Sequence, residues 1–279
     1  MDIFQAQPAL PSRYCLRQCD LRCPKTTLTV LFTTSWDDGH PSDLKVAALL
    51  EKYGLTGTFY VGPKGFEGKA LSPEKIRSLS SRHEIGAHTL AHPSLPRLKI
   101  EEATNEIVGS KKWLEDLLGK ECKMFAYPFG HFNSEITQAV KNAGFMGART
   151  TKDLSWDLSD PYQLPTSIQI HYLPFRPVFN RRFIQPIKTV WPQIKSMGLP
   201  LLSCRNWLSY AKATFEYALK SKKPFFHLWG HSWALDKENK WRVFEEFLKF
   251  AVSHEGIKPV PNSALISASP PAPLPRCAR

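Results

Sequence analysis

Two short stretches of the chain concentrate side chains able to hold a metal ion or move a proton. Asp37 and Asp38 stand side by side in S-W-D-D-G-H, and His88 and His92 stand four apart in H-T-L-A-H-P. Carboxylate oxygen and imidazole nitrogen together make a donor set suited to zinc or a similar divalent ion, with positions left open for water and substrate. The H-x3-H spacing would set both rings on one face of a helical turn, as in zinc proteases. The glutamate those proteins carry between the histidines is absent, however, and Pro93 biases His92 away from the helical region, so the pair is expected on a loop or a single turn.

Metal and carboxylate together suit the hydrolysis of an unreactive linkage such as an amide. A carboxylate beside the metal takes the proton of an activated water, a role open to Asp37 if Asp38 points at the metal. The leaving amine needs a proton from a second titratable group, and F-F-H-L-W-G-H-S-W offers His227 and His231. A-Y-P-F-G carries Phe129, whose backbone N–H is placed to polarise an acyl oxygen. Trp229, Trp233 and Phe129 suit an apolar wall for an acyl methyl, with Tyr127 as a further substrate contact, although aromatics at such positions are more often plain core. Taken singly, the signals are weak: paired aspartates after a strand commonly cap the next helix, and a histidine inside an apolar strand, such as His227, equally fits a core residue bonded to backbone.

These groups meet only if the elements around them bring them together. Leu28 to Thr34 reads as a buried strand, and Leu44, Ala47, Ala48 and Leu50 as a helix stopped by Gly54. Thr58 to Val61 is the next strand. Ser72-Pro73-Glu74 opens a short helix, and Glu84 to His88 is strand-like. Ile100, Ala103, Ile107, Leu114, Leu117 and Leu118 keep the spacing of an amphipathic helix that Gly119 ends. Met124 to Tyr127, a helix from Ser134 to Ala143, and Phe145 to Arg149 repeat the alternation. Residues 153 to 182 form a long proline- and aromatic-rich excursion; Phe225 to Trp229 is then a strand, and Trp241, Phe244, Leu248 and Ala251 mark a last helix. Repeated β-α units predict an α/β fold with a parallel sheet and outer helices, open or closed as a barrel. In such folds reactive groups gather at the carboxyl ends of strands, where both motifs fall.

With 42% hydrophobic and 12% aromatic residues among 279, the chain can bury one large α/β core. The domain is expected over residues 27–262, between a basic arm at 1–26 and a Pro-rich tail at 263–279, neither of which has a period able to bury a face. Six cysteines are too scattered for a disulfide scaffold, and Cys15, Cys19 and Cys23 lack the C-x2-C pairs and fourth ligand of a zinc site. The net charge of +12 favours anionic partners. No nucleic-acid-binding signature accompanies it, so an acidic or phosphorylated substrate is preferred to nucleic acid. Neither a secretory signal nor an apolar run of about 18 residues stands out, which makes a cytoplasmic protein without a membrane span the expectation.

The order, spacing and strand-end context of the motifs resemble the polysaccharide deacetylase (NodB-homology) family over roughly residues 28 to 260. The resemblance implies a distorted (β/α) barrel that removes N- or O-acetyl groups from sugars with one divalent metal, zinc first, with Co2+, Mn2+, Ni2+ or Fe2+ as substitutes. In that family an Asp-Asp pair supplies base then ligand, matched by Asp37 and Asp38, and H-[ST]-x-x-H supplies two ligands, matched by His88, Thr89 and His92. The family's R-x-P-[YF] motif is met only in part, leaving Ala126 where an arginine would steady the base; Arg149, at the end of the next strand, is the candidate replacement. For the Asp and Trp that support the acid, Trp156, Asp157 and Asp160 are nearest, and W-G-H-S-W favours His231 over His227 as the acid. The implied activity is deacylation of an N-acylated sugar or glycan, an amide outside peptide linkage. Two alternatives stand beside it: a deformylase or amidohydrolase of a small or phosphate-linked amide, suggested by the basic stretch from Arg176 to Lys188, and a non-catalytic carbohydrate-binding relative, suggested by the missing arginine.

Overall fold

The computed structural model describes residues 29–65 and 67–268. In chain order the elements are β1 (Val30–Asp37), α1 (Asp43–Lys52), β2 (Thr58–Val61), α2 (Pro73–Leu79), β3 (Glu84–Ala87), α3 (Ile100–Leu118), β4 (Met124–Ala126), α4 (Ser134–Asn142), β5 (Gly147–Arg149), β6 (Ile168–Gln169), α5 (Gln185–Ser196), α6 (Trp207–Lys220), β7 (Phe225–Gly230), α7 (Ser232–Lys237), α8 (Trp241–Val252), β8 (Ile257–Pro259) and α9 (Ser263–Ser267). Every strand pairing is parallel. The sheet runs β5-β4-β3-β2-β1-β7-β6, with β8 on the first half of β1.

One stretch, residues 164–169, joins the two ends of that order. Leu164 bridges Arg149, Thr150 N donates to Leu164 O and Thr166 N to Lys152 O, while Ser167 N donates to His227 O on β7. The result is a distorted barrel with one thin seam.

Side-chain alternation along the strands divides the core in two. Phe32, Trp36, Phe59, Ile85, Phe125, Phe226 and Leu228 point outward and pack under the helices against residues such as Val46, Leu50, Ile107, Leu114, Phe215 and Phe247. Tyr60, Met124, Ala126 and Phe225 point inward with Leu158, Leu164 and Leu265 in a smaller cluster. The inner layer also carries polar groups, and Thr33, Ser35, Tyr60, His227 and Asn262 among them are paired, as buried polar groups prefer to be. Thr33 Oγ1 donates to Asn262 Oδ1 at 2.9 Å, Asn262 Nδ2 to the Tyr60 hydroxyl at 2.9 Å, and Ser35 Oγ lies 2.8 Å from His227 Nε2.

Several elements follow the sequence reading closely: α3 ends at Gly119, whose φ of 63° is the left-handed cap that glycine adopts freely. Others depart from it. β1 runs three residues beyond Thr34, so Asp37 is its last residue. β6, α5, α6, α7, β8 and α9 carry no clear sequence signal. The expected tail boundary at residue 262 is corrected: Asn262 and Leu265 are fully buried, and α9 closes the barrel below Thr33. Most of the expected tail, residues 269–279, and the basic arm with Cys15, Cys19 and Cys23 lie outside the described residues. No described helix is long and apolar enough to cross a membrane.

Candidate active site at the carboxyl end of the barrel

Asp37 enters the barrel mouth because it continues the inward series Thr33, Ser35, Asp37 on β1. Asp38 follows at φ 79°, and Thr89 and His92 adopt φ 65° and 55°. Left-handed backbone at three non-glycine residues around one point costs energy and is characteristic of sites where geometry overrides local preference. The neighbouring strand end is also tight: a Cβ on Gly62 would stand 2.5 Å from Thr89 O, so only glycine lets β2 pass this close to the histidine loop.

Asp38, His88 and His92 offer ligand atoms that all lie within 4.8 Å of one another. His88 Nε2 is 3.6 Å and His92 Nε2 3.4 Å from Asp38 Oδ1. Ligands bound at about 2.1 Å around a tetrahedral ion stand about 3.4 Å apart, so each histidine already stands from Asp38 at close to the spacing a zinc-like ion requires. His88 Nδ1 lies 2.8 Å from Ala126 O. A carbonyl only accepts, so Nδ1 carries the proton and Nε2 keeps its lone pair for a metal. Burial also brings the His88 pKa down to about 4, which keeps the ring neutral, as a ligand must be. Asp38 is steadied through its other oxygen by the Trp233 indole N–H at 2.8 Å, and the His92 loop by a bond from His92 N to Thr89 Oγ1 at 3.0 Å.

Asp37 has a different partner. Ala126 and Arg149 are opposite one another in the β4–β5 register, so an arginine absent from β4 is present one strand over. Its guanidinium is fully buried, donates to Asp37 Oδ1 in a close ion pair, and lies 5.1 Å from the Tyr60 ring and 4.9 Å from the Trp229 ring. Burial alone would raise the Asp37 pKa, but the charges of Arg149, His88 and His231 outweigh it and hold the carboxyl below its ordinary range. Asp37 is therefore an ionised carboxylate at neutral pH.

His231 follows β7, partly exposed, with Nε2 3.8 Å from Asp38 Oδ2 and its ring 5.1 Å from that of Trp233. His227 lies one layer deeper on the same inward face. It is fully buried, its Nε2 contacts Ser35 Oγ, its Nδ1 is 3.3 Å from Pro165 O, and burial brings its pKa down to about 3. The structure thus corrects His227 to a core histidine that does not reach the cavity.

Tyr127 is also corrected: it is fully buried, its hydroxyl donates to Tyr162 O at 3.0 Å, and its ring packs on Phe125 and Phe132. Trp156, Asp157 and Asp160 are away from the mouth as well. Trp156 packs on Tyr217, Asp157 caps Ser159 N and Asp160 caps Tyr162 N. The residue the sequence reading missed is Asp153. It accepts from the Trp229 indole at 2.9 Å and from Thr166 Oγ1, and burial raises its pKa. Its place just past the end of β5, like that of Asp38 past β1, was the available signal.

These groups open into one cavity of about 840 Å³. Asp37, Asp38, His88, His92, Trp229, His231 and Trp233 line one side. Lys152, Gln169, His171, Arg176 and the α5 residues Gln185, Thr189 and Gln193 line the rest. Phe129 stands at the rim with φ 59°, 58% exposed, its ring 4.6 Å from that of His92.

The chain shares 29% identity over 109 residues with the peptidoglycan-N-acetylmuramic acid deacetylase PdaC of Bacillus subtilis, covering 38% of this chain and 23% of that protein. It shares 25% over 120 residues with the peptidoglycan-N-acetylglucosamine deacetylase PgdA of Listeria monocytogenes, covering 42% of this chain and 25% of that one. The aligned region thus spans about a quarter of these two relatives. A chitooligosaccharide deacetylase of Azorhizobium caulinodans matches at 29% identity over 131 residues, 46% of this chain and 58% of that protein. Among solved structures, B. subtilis peptidoglycan deacetylase PdaC superposes with a TM-score of 0.51 at 19% identity over 87% of this chain and 92% of its own. The Xyl-CE4 domain of a multidomain xylanase from the hindgut metagenome of Trinervitermes trinervoides gives 0.54 at 12% identity over 86% and 90%. The barrel fold is common to all three chains. A polysaccharide deacetylase family model matches residues 25–148, the stretch that carries both motifs.

Proposed function

We propose that this protein hydrolyses the amide of an N-acylated sugar or glycan, releasing acetate or a similarly small acid. The observation that carries the reading is the convergence, in one cavity, of three ligand atoms within 4.8 Å of one another with a separate, arginine-paired carboxylate and a further histidine. The relatives named above act on N-acetylated sugars and make acetyl the first acyl group to test.

Asp38, His88 and His92 would hold the ion, zinc by preference for this nitrogen and oxygen set. A divalent ion bound there supplies Lewis acidity that polarises an acyl oxygen and makes water acidic at neutral pH. Asp37, kept ionised by Arg149, accepts the proton of the attacking water. His231, across Asp38 from the histidine pair, returns a proton to the leaving nitrogen. The Phe129 N–H donates to the developing oxyanion, and Trp229 and Trp233 shield the acyl methyl.

Lys152 and Arg176 in the cavity lining support a substrate that carries a negative charge, the feature shared with the phosphate-linked amide alternative. A non-catalytic relative is disfavoured, because Arg149 meets Asp37 where the absence of arginine at Ala126 had been its support. A cytoplasmic location remains part of the proposal and is checked by fractionation. The activity itself is checked by product mass analysis on a panel of neutral and phosphorylated N-acetylated and N-formylated sugars. Loss of one acyl group from an N-acylated sugar is expected; no mass change across the panel with metal-loaded protein would refute the reading.

A further inference from the structure

The segment that forms the outer cavity wall has an unusual charge. Between Asp160 and Glu216 there is no acidic residue, while Arg176, Arg181, Arg182, Lys188, Lys195, Arg205 and Lys212 are all basic. The same segment exposes large apolar side chains: Phe175 at 46%, Val178 at 61%, Phe179 at 88%, Ile184 at 52% and Trp191 at 42%. Phe175 and Phe179 flank Phe183, with ring centroids 4.9 and 5.0 Å from it, so the loop before α5 ends in an aromatic knob.

Helix α5 continues this surface and presents three distinct faces. Pro186, Val190 and Ile194 are buried toward the body, Pro186 and Val190 also reaching the cavity. Gln185, Thr189 and Gln193 line the cavity. Ile184, Lys188, Trp191 and Lys195, spaced four, three and four apart, form an exposed stripe that alternates apolar and basic. Water alone is a poor partner for such a stripe.

We propose that residues 174–196 dock this protein on an anionic phospholipid surface, with the aromatic knob and the Ile184 and Trp191 side chains entering the headgroup region and the basic residues meeting lipid phosphates. Exposed aromatic and aliphatic groups interleaved with lysine and arginine are the chemistry of an interfacial helix. A glycan platform needs flat aromatic faces and has no use for Val178 and Ile184; a phosphate-rich polymer needs the cations and not the Phe179 ring. The proposal stands apart from the deacylation reading, since it concerns the outward face of α5 and not the face toward the cavity. Its consequence is that the cavity wall sits at the lipid surface, where a membrane-linked sugar would be presented.

Vesicle flotation of the full chain tests this. Binding is expected to vesicles of phosphatidylcholine with phosphatidylglycerol and not to phosphatidylcholine alone. Arg181→Gln with Arg182→Gln should weaken binding about 25-fold, at roughly fivefold per basic residue. Phe179→Ser with Trp191→Ser should weaken it at least about tenfold through lost apolar insertion. All four side chains are exposed, so folding is expected to survive, and metal content, which is independent of any substrate, should stay at the wild-type value. Absence of binding to the anionic vesicles would overturn the proposal, as would binding that neither double variant weakens. So would retention on insoluble chitin that both double variants abolish, which would make the surface a glycan platform.

Discussion

The two walls of the cavity are built on different principles. On one side, Asp37, Asp38, His88, Arg149 and His231 project from or just beyond the ends of strands, and the first four are fixed by a second group: Arg149 and Asp37 by each other, Asp38 by Trp233 and His88 by Ala126 O. On the other, Arg176, Gln185, Thr189 and Gln193 come from the excursion between β6 and α6, where Arg176 and Gln185 are exposed and side-chain bonds are few. The difference teaches a division of labour. Chemistry needs groups held to within a fraction of an ångström, which strand ends in a closed hydrogen-bond ladder supply. Selection of a substrate tolerates the looser placement of an inserted loop and helix.

Substitutions on the strand-end wall should therefore have the largest effects on turnover. Asp37→Ala and His231→Ala are each expected to lower kcat by roughly 10²–10⁴ with metal content unchanged. Steady-state kinetics beside metal analysis checks this. A fully active His231→Ala would break the comparison on its firm side.

Arg149→Met should cost stability as well as rate, because it leaves Asp37 buried and unpaired, at roughly 3–5 kcal/mol by denaturant unfolding. Its pH signature has a definite sign. The folded-state pKa of Asp37 lies below the ordinary value, so the pair contributes stability above about pH 4, where the unfolded carboxyl is ionised, and loses it as pH falls through the folded value. In the variant that acid-side loss disappears, and the acidic limb of the rate profile moves to higher pH. An unchanged limb would mean that Asp37 is not the base.

His227→Ala, four residues before His231, should behave as a core substitution. A stability loss of roughly 1–3 kcal/mol is expected from stranding Ser35 Oγ, with kcat close to wild type in the folded fraction. The smallest effects should come from the cations of the cavity lining, Lys152 just past β5 and Arg176 in the inserted stretch. Lys152→Ala and Arg176→Ala should raise KM for a phosphorylated substrate by about tenfold, equal to about 1.4 kcal/mol, and leave kcat and the KM of a neutral sugar nearly unchanged. A collapse of kcat in either variant would erase the distinction between the walls.

The same contrast governs what was legible in the sequence. Strand-end chemistry is written in local patterns: S-W-D-D-G-H, H-T-L-A-H and W-G-H-S-W each follow an apolar run, and the alternation of strand and helix up to Arg149 is clear enough to place them. Arg149 itself was reachable as the nearest arginine at a strand end. His227 and Tyr127 were misplaced for a physical reason. His227 shares its inward face with Trp229, which lines the mouth, and sequence alternation gives the face of a strand but not the depth along the barrel; Tyr127 lies on the outward face with Phe125, away from the mouth. The α5 helix was illegible because Pro186 and Pro192 interrupt its pattern and its three faces blur a two-sided period. The contribution of α9 was hidden in a short stretch of small residues, in which only Leu265 is buried.

The division of roles between the adjacent aspartates is the centre of this account, and metal stoichiometry tests it most directly. Wild-type protein, loaded with zinc and dialysed, should retain one ion per chain, as should Asp37→Ala. Asp38→Ala, His88→Ala and His92→Ala should retain none. Retention of zinc by Asp38→Ala together with its loss from Asp37→Ala would contradict the account and exchange the base for the ligand.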